Sequence, residues 1–170
     1  MTVPWSQNDP LFRKLVAEGH AWQALPFTFL TLAGFDVEMP DLTVRSDISE
    51  AKAWLETYDL RIGDLLIEVK SRPFYFTSPK DWPLPRLPAF VDTTKKWEAK
   101  TQKPFAYIFV SKETGAMVAT CAMEGAEGRW EKLTRYDRVR KFHEEFYAVN
   151  RRYLVTMDVL VDAIRKANCQ

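Results

Sequence analysis

Two carboxylates and one lysine flank a short turn in the sequence, with Asp59 before it and Glu68 and Lys70 after it. The turn is Gly63-Asp64, and a Gly-X pair between two apolar runs predicts a two-residue β-hairpin loop. Counting outward from that loop places Asp59 opposite Glu68, and residues directly opposite point to the same side of a sheet, with Cβ atoms about 4.5–5.5 Å apart. Lys70 points to that side too.

Two neighbouring carboxylates repel each other, so we expect a cation to compensate them. Oxygen ligands suit Mg²⁺ or Mn²⁺, which polarise a phosphate oxygen and lower the pKa of a bound water. Lys70 would orient or deprotonate that water, helped by a pKa lowered through burial and the nearby cation, or would stabilise negative charge. The alternative is a solvent-facing ion pair of Glu68 and Lys70, with Asp59 as a neighbour.

The spacing Asp59-x8-Glu68-x-Lys70, in a hairpin between a preceding helix and strand and a following helix and strand, resembles the PD-(D/E)XK nuclease superfamily. The string IEVKSR is similar to the central strand of that family. The resemblance implies an α/β fold, namely a single domain with a restriction-endonuclease-like mixed central sheet flanked by helices. It implies Asp59, Glu68 and the backbone carbonyl of Val69 as metal ligands, and Lys70 as the catalytic lysine. Tyr58 stands where the family pattern has proline.

Other acids and a helix position leave alternatives open. Asp64 is a second candidate acid, although its place in the turn aims it less well than Asp59. Many relatives carry Glu or Gln on the first helix, in contact with the metal or its water. Gln23 fits that role, and Glu18 is the second choice.

The core of the domain is expected over residues about 10–122. Asp9-Pro10 predicts the start of a helix, Pro26 predicts a kink or a new start, and Gly34 predicts the end. The alternating residues 35–39 predict a half-buried strand, and residues 48–56 a short helix. Five prolines in residues 73–88 predict an irregular loop. A short helix over 93–101 and strands over 104–111 and 116–122 follow.

The remainder, about residues 130–170, is expected to be a helical extension. Thr134-x-x-Asp137 is close to a capping box and predicts a helix over 134–145. A short strand over 146–149 and a final helix capped by Thr156 complete the prediction.

The net charge is +1, but residues 61–103 and 129–152 are rich in lysine and arginine and would attract a polyanion. Trp82 is predicted to stack on an unpaired base, or alternatively to anchor its loop to the core. The predicted nucleic-acid contacts are Arg72, Lys80, Trp82, Arg86, Lys95, Lys96 and Lys100, together with Lys103. A second basic patch comprises Arg135, Arg138, Lys141, Arg151 and Arg152.

We therefore expect a Mg²⁺- or Mn²⁺-dependent deoxyribonuclease that uses metal-activated water in DNA recombination, repair or degradation. The resemblance extends to phage-type enzymes and Holliday-junction resolvases, which makes a homodimer reasonable. The alternatives are a catalytically inactive DNA-binding or assembly module and an enzyme acting on RNA. Without a long apolar run, a signal sequence or a Gly-rich phosphate loop, we expect no membrane partner, no nucleotide cofactor and a cytoplasmic location in a bacterium or a phage-infected cell.

Overall fold

Two sheets and three helices make up the part of the chain that the computed structural model describes, which is residues 10–41, 58–83, 88–122, 128–137 and 142–168. The strands are β1 (Leu60–Ile62), β2 (Leu65–Arg72), β3 (Ala89–Thr93), β4 (Ala106–Ser111), β5 (Met117–Cys121), β6 (Trp130–Asp137), β7 (Phe142–Val149) and β8 (Val155–Thr156). The helices are α1 (Pro10–Leu32), α2 (Thr94–Ala99) and α3 (Met157–Asn168). Single 3-10 turns occur at Pro79–Asp81 and Arg151–Tyr153.

The larger sheet is mixed and has the strand order β1-β2-β4-β5-β8. Strand β2 pairs with β1 antiparallel and with β4 parallel, so it lies inside the sheet. The smaller sheet has the order β3-β7-β6 and is antiparallel throughout. The chain is thus a single α/β domain.

The two faces of the larger sheet bury different sets of side chains. Helices α1 and α3 cover one face, where Leu30, Ile67 and Ile164 belong to one apolar cluster. Tyr107 and Phe109 project from β4 to the other face and pack in a second cluster with residues of the smaller sheet. Because side chains alternate along a strand, Glu68 and Lys70 of β2 project toward this second cluster and the smaller sheet.

The predicted N-terminal helix is confirmed, and it runs through Pro26 without interruption. Its end is confirmed at Gly34, whose φ of 94° is a conformation that glycine adopts at little cost. Residues 35–39 keep the predicted alternation of half-buried and exposed side chains. Within the described residues, however, they form only one isolated bridge, between Glu38 and Arg61, rather than a strand. The predicted helix over 48–56 lies outside the described residues.

The predicted helix over 134–145 is wrong, and with it the view of residues 130–170 as a helical extension. The described residues of this segment lie in β6 and β7, an antiparallel hairpin pair in which Thr134 pairs with Glu145. Trp130 and Val149 bury their side chains beneath the hairpin, so packing of β-favouring residues outweighs the local capping signal at Thr134. The final helix is confirmed as α3.

Candidate functional site

The hairpin at the site has the register expected from its loop. Ile62 pairs with Leu65, and Leu60 pairs with Ile67. Gly63 has a φ of 56°, which explains why glycine opens the loop. Asp59 lies one residue before β1, at the edge of the sheet.

The Asp59 carboxylate is held by two donors from different parts of the chain. Its Oδ2 accepts a hydrogen bond of 2.7 Å from the backbone N–H of Val69, beyond the last backbone pair of the hairpin. Its Oδ1 accepts a hydrogen bond of 2.7 Å from Nε2 of Gln23, on α1. The structure therefore brings Gln23 to the predicted site.

The second-choice acids lie elsewhere. Glu18 forms an ion pair with Lys112, which lowers the pKa of Glu18 through a hydrogen bond and charge attraction. Asp64 is exposed in the hairpin turn. Among the described residues, neither side chain contacts Asp59 or Glu68.

The carbonyl of Val69 is directed toward the Asp59 edge of β2. The carbonyls of Leu66 and Arg72 accept hydrogen bonds from Phe105 and Lys112, so the even-numbered carbonyls of β2 face β4. Successive backbone groups of a strand point in opposite directions, which places the Val69 carbonyl on the same edge as its N–H group. The third predicted oxygen ligand thus faces the side on which Asp59 lies.

Glu68 is almost fully buried, with 4% of its surface exposed, and three lysines surround its carboxylate. Lys100 donates to Oε1. Lys70 lies 3.3 Å and Lys96 3.7 Å from Oε2. Lys96 and Lys100 are four residues apart, on α2 and its C-cap, so they reach Glu68 from one side of that helix.

The two acids differ in their electrostatic surroundings. Burial and the negative charge of Glu68 raise the pKa of Asp59 to about 6, and Lys70 only partly opposes this. Burial would also raise the pKa of Glu68, but Lys70, Lys96 and Lys100 outweigh it and lower the pKa to about 2. Glu68 is thus ionised at any working pH, whereas Asp59 changes charge near pH 6.

Lys70 does not have the lowered pKa that we expected. Burial lowers its pKa, but Glu68, Asp92 and Asp59 together raise it above the ordinary value. Lys70 therefore keeps its proton, which suits it to donate a hydrogen bond or to stabilise negative charge rather than to deprotonate water.

Asp92, at the end of β3, is a buried acid that the sequence analysis missed. Its Oδ2 lies 3.7 Å from Nζ of Lys96 and accepts a hydrogen bond of 3.3 Å from the Tyr107 hydroxyl. Burial and the charge of Asp92 raise the pKa of Tyr107. The only sequence signal for this contact was the spacing of four residues between Asp92 and Lys96.

Two of the predicted nucleic-acid contacts are buried, and Trp82 fits the alternative of anchoring its loop to the core. Trp82 is 1% exposed and packs against Phe74, Phe76 and Phe109, so its ring is unavailable for base stacking. Lys100 is 6% exposed and donates to Glu68, so it does not reach toward a phosphate.

The other predicted contacts differ in accessibility. Lys80 and Lys95 are exposed, Lys96 is partly engaged by Glu68 and Asp92, and Arg72 is partly buried. Lys103 donates to backbone carbonyls near the end of α2. Arg151 and Arg152 are exposed, whereas Arg86, Arg138 and Lys141 lie outside the described residues.

Within the described ranges, no group of three or more His, Cys, Asp or Glu side chains is placed to hold a metal ion. The donor set at the hairpin is smaller, with two carboxylates and one backbone carbonyl. Across the same ranges, no helix has the length and apolar character needed to cross a membrane.

No family model matches this chain, and neither a curated protein nor a solved structure matches it. Its function therefore has to be inferred from the residues and their geometry.

Proposed function

We propose that this chain is a metal-dependent deoxyribonuclease in which Asp59, Glu68 and the Val69 carbonyl bind Mg²⁺ or Mn²⁺ beside Lys70. The observation that carries the proposal is the convergence of the three side chains at one hairpin: Asp59 accepts a hydrogen bond from the backbone N–H of Val69, the residue after Glu68, and Lys70 lies 3.3 Å from Glu68. A restriction-endonuclease-like fold is part of the proposal. It is supported by the element order α1, the bridge at Glu38, the β1–β2 hairpin, α2 and then β4 parallel to β2.

The donor set fits a hard divalent cation. Mg²⁺ and Mn²⁺ prefer carboxylate and carbonyl oxygens. The hydrogen-bond donors to Asp59 are a neutral amide and a backbone N–H, so they leave its negative charge without a bonded cation. A dication would supply that charge and favour the ionised carboxylate.

Each residue has a distinct part in the proposed reaction. When bound, the ion would polarise the scissile phosphate and lower the pKa of the attacking water. Lys70, which stays protonated, would stabilise the negative charge that builds up on the phosphate. Gln23 would fix the orientation of Asp59, and Lys96 and Lys100 would keep Glu68 ionised.

A second candidate is a DNA-binding or assembly module that keeps the fold without the chemistry. It is favoured by the engagement of both Glu68 oxygens, since Lys100 contacts Oε1 and Lys70 and Lys96 lie near Oε2. In such a module the lysines would take the place of the ion permanently. The candidates therefore differ in whether a divalent cation binds at Asp59 and Glu68.

The test is a cleavage panel of single-stranded, duplex, flap and junction DNA, with RNA alongside, in Mg²⁺ or Mn²⁺. A nuclease should cleave at least one DNA substrate, and EDTA should stop it. Glu68→Ala, Lys70→Ala and Asp59→Asn should each lower the rate by about 10² or more. Asp64→Asn is the matched control, because it removes the same charge from the exposed turn of the same hairpin.

Calorimetric titration with Mn²⁺ separates the two candidates further. The nuclease should bind Mn²⁺, and Asp59→Asn should weaken binding while Asp64→Asn leaves it unchanged. DNA binding without cleavage on any substrate, together with no Mn²⁺ binding, would reject the nuclease in favour of the binding module. Cleavage of RNA alone would reject DNA as the substrate.

A further inference from the structure

A cleft of about 550 Å³ opens beside Lys70, between the end of β2 and the smaller sheet. Its walls carry three cations, Lys70, Arg72 and Arg135, and one carboxylate, Asp92. The rings of Phe90 and Phe146 form an apolar part of the same lining and pack edge to face, with their centroids 5.3 Å apart. The cleft therefore combines excess positive charge with flat apolar surface.

Arg72 is held rigidly at this cleft. Its Nη2 donates to the backbone carbonyl of Phe90, and its guanidinium group lies 5.2 Å from the ring centroid of Phe109. Arg135 reaches in from β6, with its guanidinium group 5.5 Å from the centroid of the Phe90 ring. The two arginines thus approach the cleft from different sheets.

Among the described residues, the two guanidinium groups, of Arg72 and Arg135, have no carboxylate in salt-bridge contact. Burial, together with the nearby positive charge of Arg135, lowers the pKa of Arg72 to about 10. An anion bound between the two groups would relieve this repulsion.

Building on the proposed nuclease function, we propose that this cleft binds the phosphomonoester-bearing nucleotide at the end of a DNA strand. Paired guanidinium groups match phosphate oxygens in geometry as well as charge. A terminal phosphate carries close to two negative charges near pH 7, against one for an internal phosphodiester, so it gains more from Arg72 and Arg135. The rings of Phe90 and Phe146 suit the sugar and base, and the volume falls in the range of small-ligand pockets.

Lys70 connects this cleft to the proposed reaction. Its side chain lines the cleft and also lies 3.3 Å from Glu68. A strand end held by the arginines would therefore lie next to Asp59 and Glu68. The enzyme would then prefer substrates with phosphorylated ends over circular DNA.

The first experiment measures binding by calorimetry in EDTA at low salt, with dAMP, its 3′-phosphate isomer, inorganic phosphate and deoxyadenosine as probes. At least one nucleotide should bind at least about tenfold more tightly than deoxyadenosine. Arg135→Gln should lower the affinity for that nucleotide about tenfold. Arg135 is exposed, so the variant should fold. Arg165→Gln is the matched control, because Arg165 lies on α3, which packs on the opposite face of the larger sheet.

The second experiment measures Mn²⁺-dependent cleavage of linear duplexes with a 5′-phosphate, a 3′-phosphate or only hydroxyl ends. The duplex with one of the two phosphorylated ends should be cleaved fastest, and that result identifies the strand end that the cleft holds. Arg135→Gln should remove this preference. Arg72→Lys should reduce it as well. Nucleotide binding that is unchanged in Arg135→Gln, or equal affinity for deoxyadenosine, would overturn the inference.

The two proposals fail in different ways. If the chain cleaves DNA but neither binds the nucleotides nor prefers phosphorylated ends, the proposed nuclease function stands and the proposed phosphate-binding cleft is rejected. If the chain binds nucleotides, Arg135→Gln weakens that binding and no substrate is cleaved, the proposed cleft stands and the proposed nuclease function is rejected.

Discussion

The side-chain amide of Gln23 donates a hydrogen bond of 2.7 Å to Asp59, although the two residues are 36 positions apart. The other oxygen of Asp59 is bonded to the Val69 N–H group. Helix α1 and strand β2 therefore fix the carboxylate from two sides. An acid oriented in this way has little freedom left to lose when it binds a cation.

Gln23→Ala should reduce Mn²⁺ affinity or cleavage rate by about 10- to 100-fold, which is typical of a lost partner behind a metal ligand. The physical reason is that Asp59 would keep only one of its two orienting hydrogen bonds. Calorimetry with Mn²⁺ and steady-state kinetics on the best DNA substrate measure the two effects. Glu18→Gln is the control, since Glu18 on the same helix pairs with Lys112 instead. Equal effects of both variants would contradict a role specific to Gln23.

The ionisation of Asp59 should make the chain less stable as the pH rises. Its pKa is higher in the folded protein, at about 6, than the ordinary value of 3.8, so the folded state binds the proton more tightly. Stability from this group is present below about pH 4 and is lost as the pH rises through about 6. The shift corresponds to about 3 kcal/mol at most.

Urea denaturation in EDTA between pH 4 and 7.5 tests this expectation. As the pH rises over that range, the wild type should lose up to about 3 kcal/mol of stability that Asp59→Asn does not lose, so the variant becomes more stable relative to the wild type. Adding Mg²⁺ above pH 6 should stabilise the wild type and leave the variant unchanged. A difference between the two proteins that does not depend on pH would show that Asp59 titrates normally.

Lys100→Met should destabilise the chain by about 3 kcal/mol at pH 7, because it removes one cation from a buried carboxylate. Lys70 and Lys96 remain near Glu68, so the loss of stability should lie at the lower end of the range of about 3–5 kcal/mol seen when one partner of a buried ion pair is removed. The low pKa of Glu68, about 2, stabilises the folded state above pH 4.5, and this contribution is lost as the pH falls toward 2. The difference in the free energy of unfolding between the wild type and Lys100→Met should therefore shrink as the pH falls from 4.5 toward 2.

Lys95→Met is the matched control for Lys100→Met, since Lys95 lies on the same helix and is exposed. Its free energy of unfolding should equal that of the wild type. The double variant Glu68→Gln, Lys100→Met should recover part of the loss, because the buried carboxylate that Lys100 balances is then neutral. If Lys100→Met were as stable as the wild type, the contact with Glu68 would be too weak to shape the site.

The hairpin at the site was predictable because its information is local. Gly63 and Asp64 set the loop length, the loop length sets the register, and the register places Asp59 beside Glu68. The same is true of α1, where Gly34 marks the end. The position of Gln23 followed only from the family resemblance, since nothing local to α1 requires contact with Asp59.

The environment of Glu68 was not predictable, because it depends on how distant elements pack. Lys100 is 32 positions away and looks like an ordinary surface lysine in the sequence. Its inward direction follows from the packing of α2 against β3 and β7, which brings Lys100 to Glu68. The β6–β7 hairpin was missed for a related reason: Thr134 carries a local helix signal, while the pairing of β7 with β3 is long-range.

Trp82→Phe should lower the free energy of unfolding by about 1–2 kcal/mol and leave DNA affinity unchanged. The indole ring is buried against Phe76 and Phe109, so a smaller ring leaves a gap in the core. If Trp82 instead stacked on a base, the variant would keep its stability and lose single-stranded DNA affinity, since such stacking is worth about 1–3 kcal/mol. Tyr75→Ala is the control from the same loop, because Tyr75 is 57% exposed and its loss should leave the core intact. Urea denaturation and fluorescence anisotropy with a labelled oligonucleotide, measured on both variants, decide between a ring that packs in the core and a ring that binds DNA.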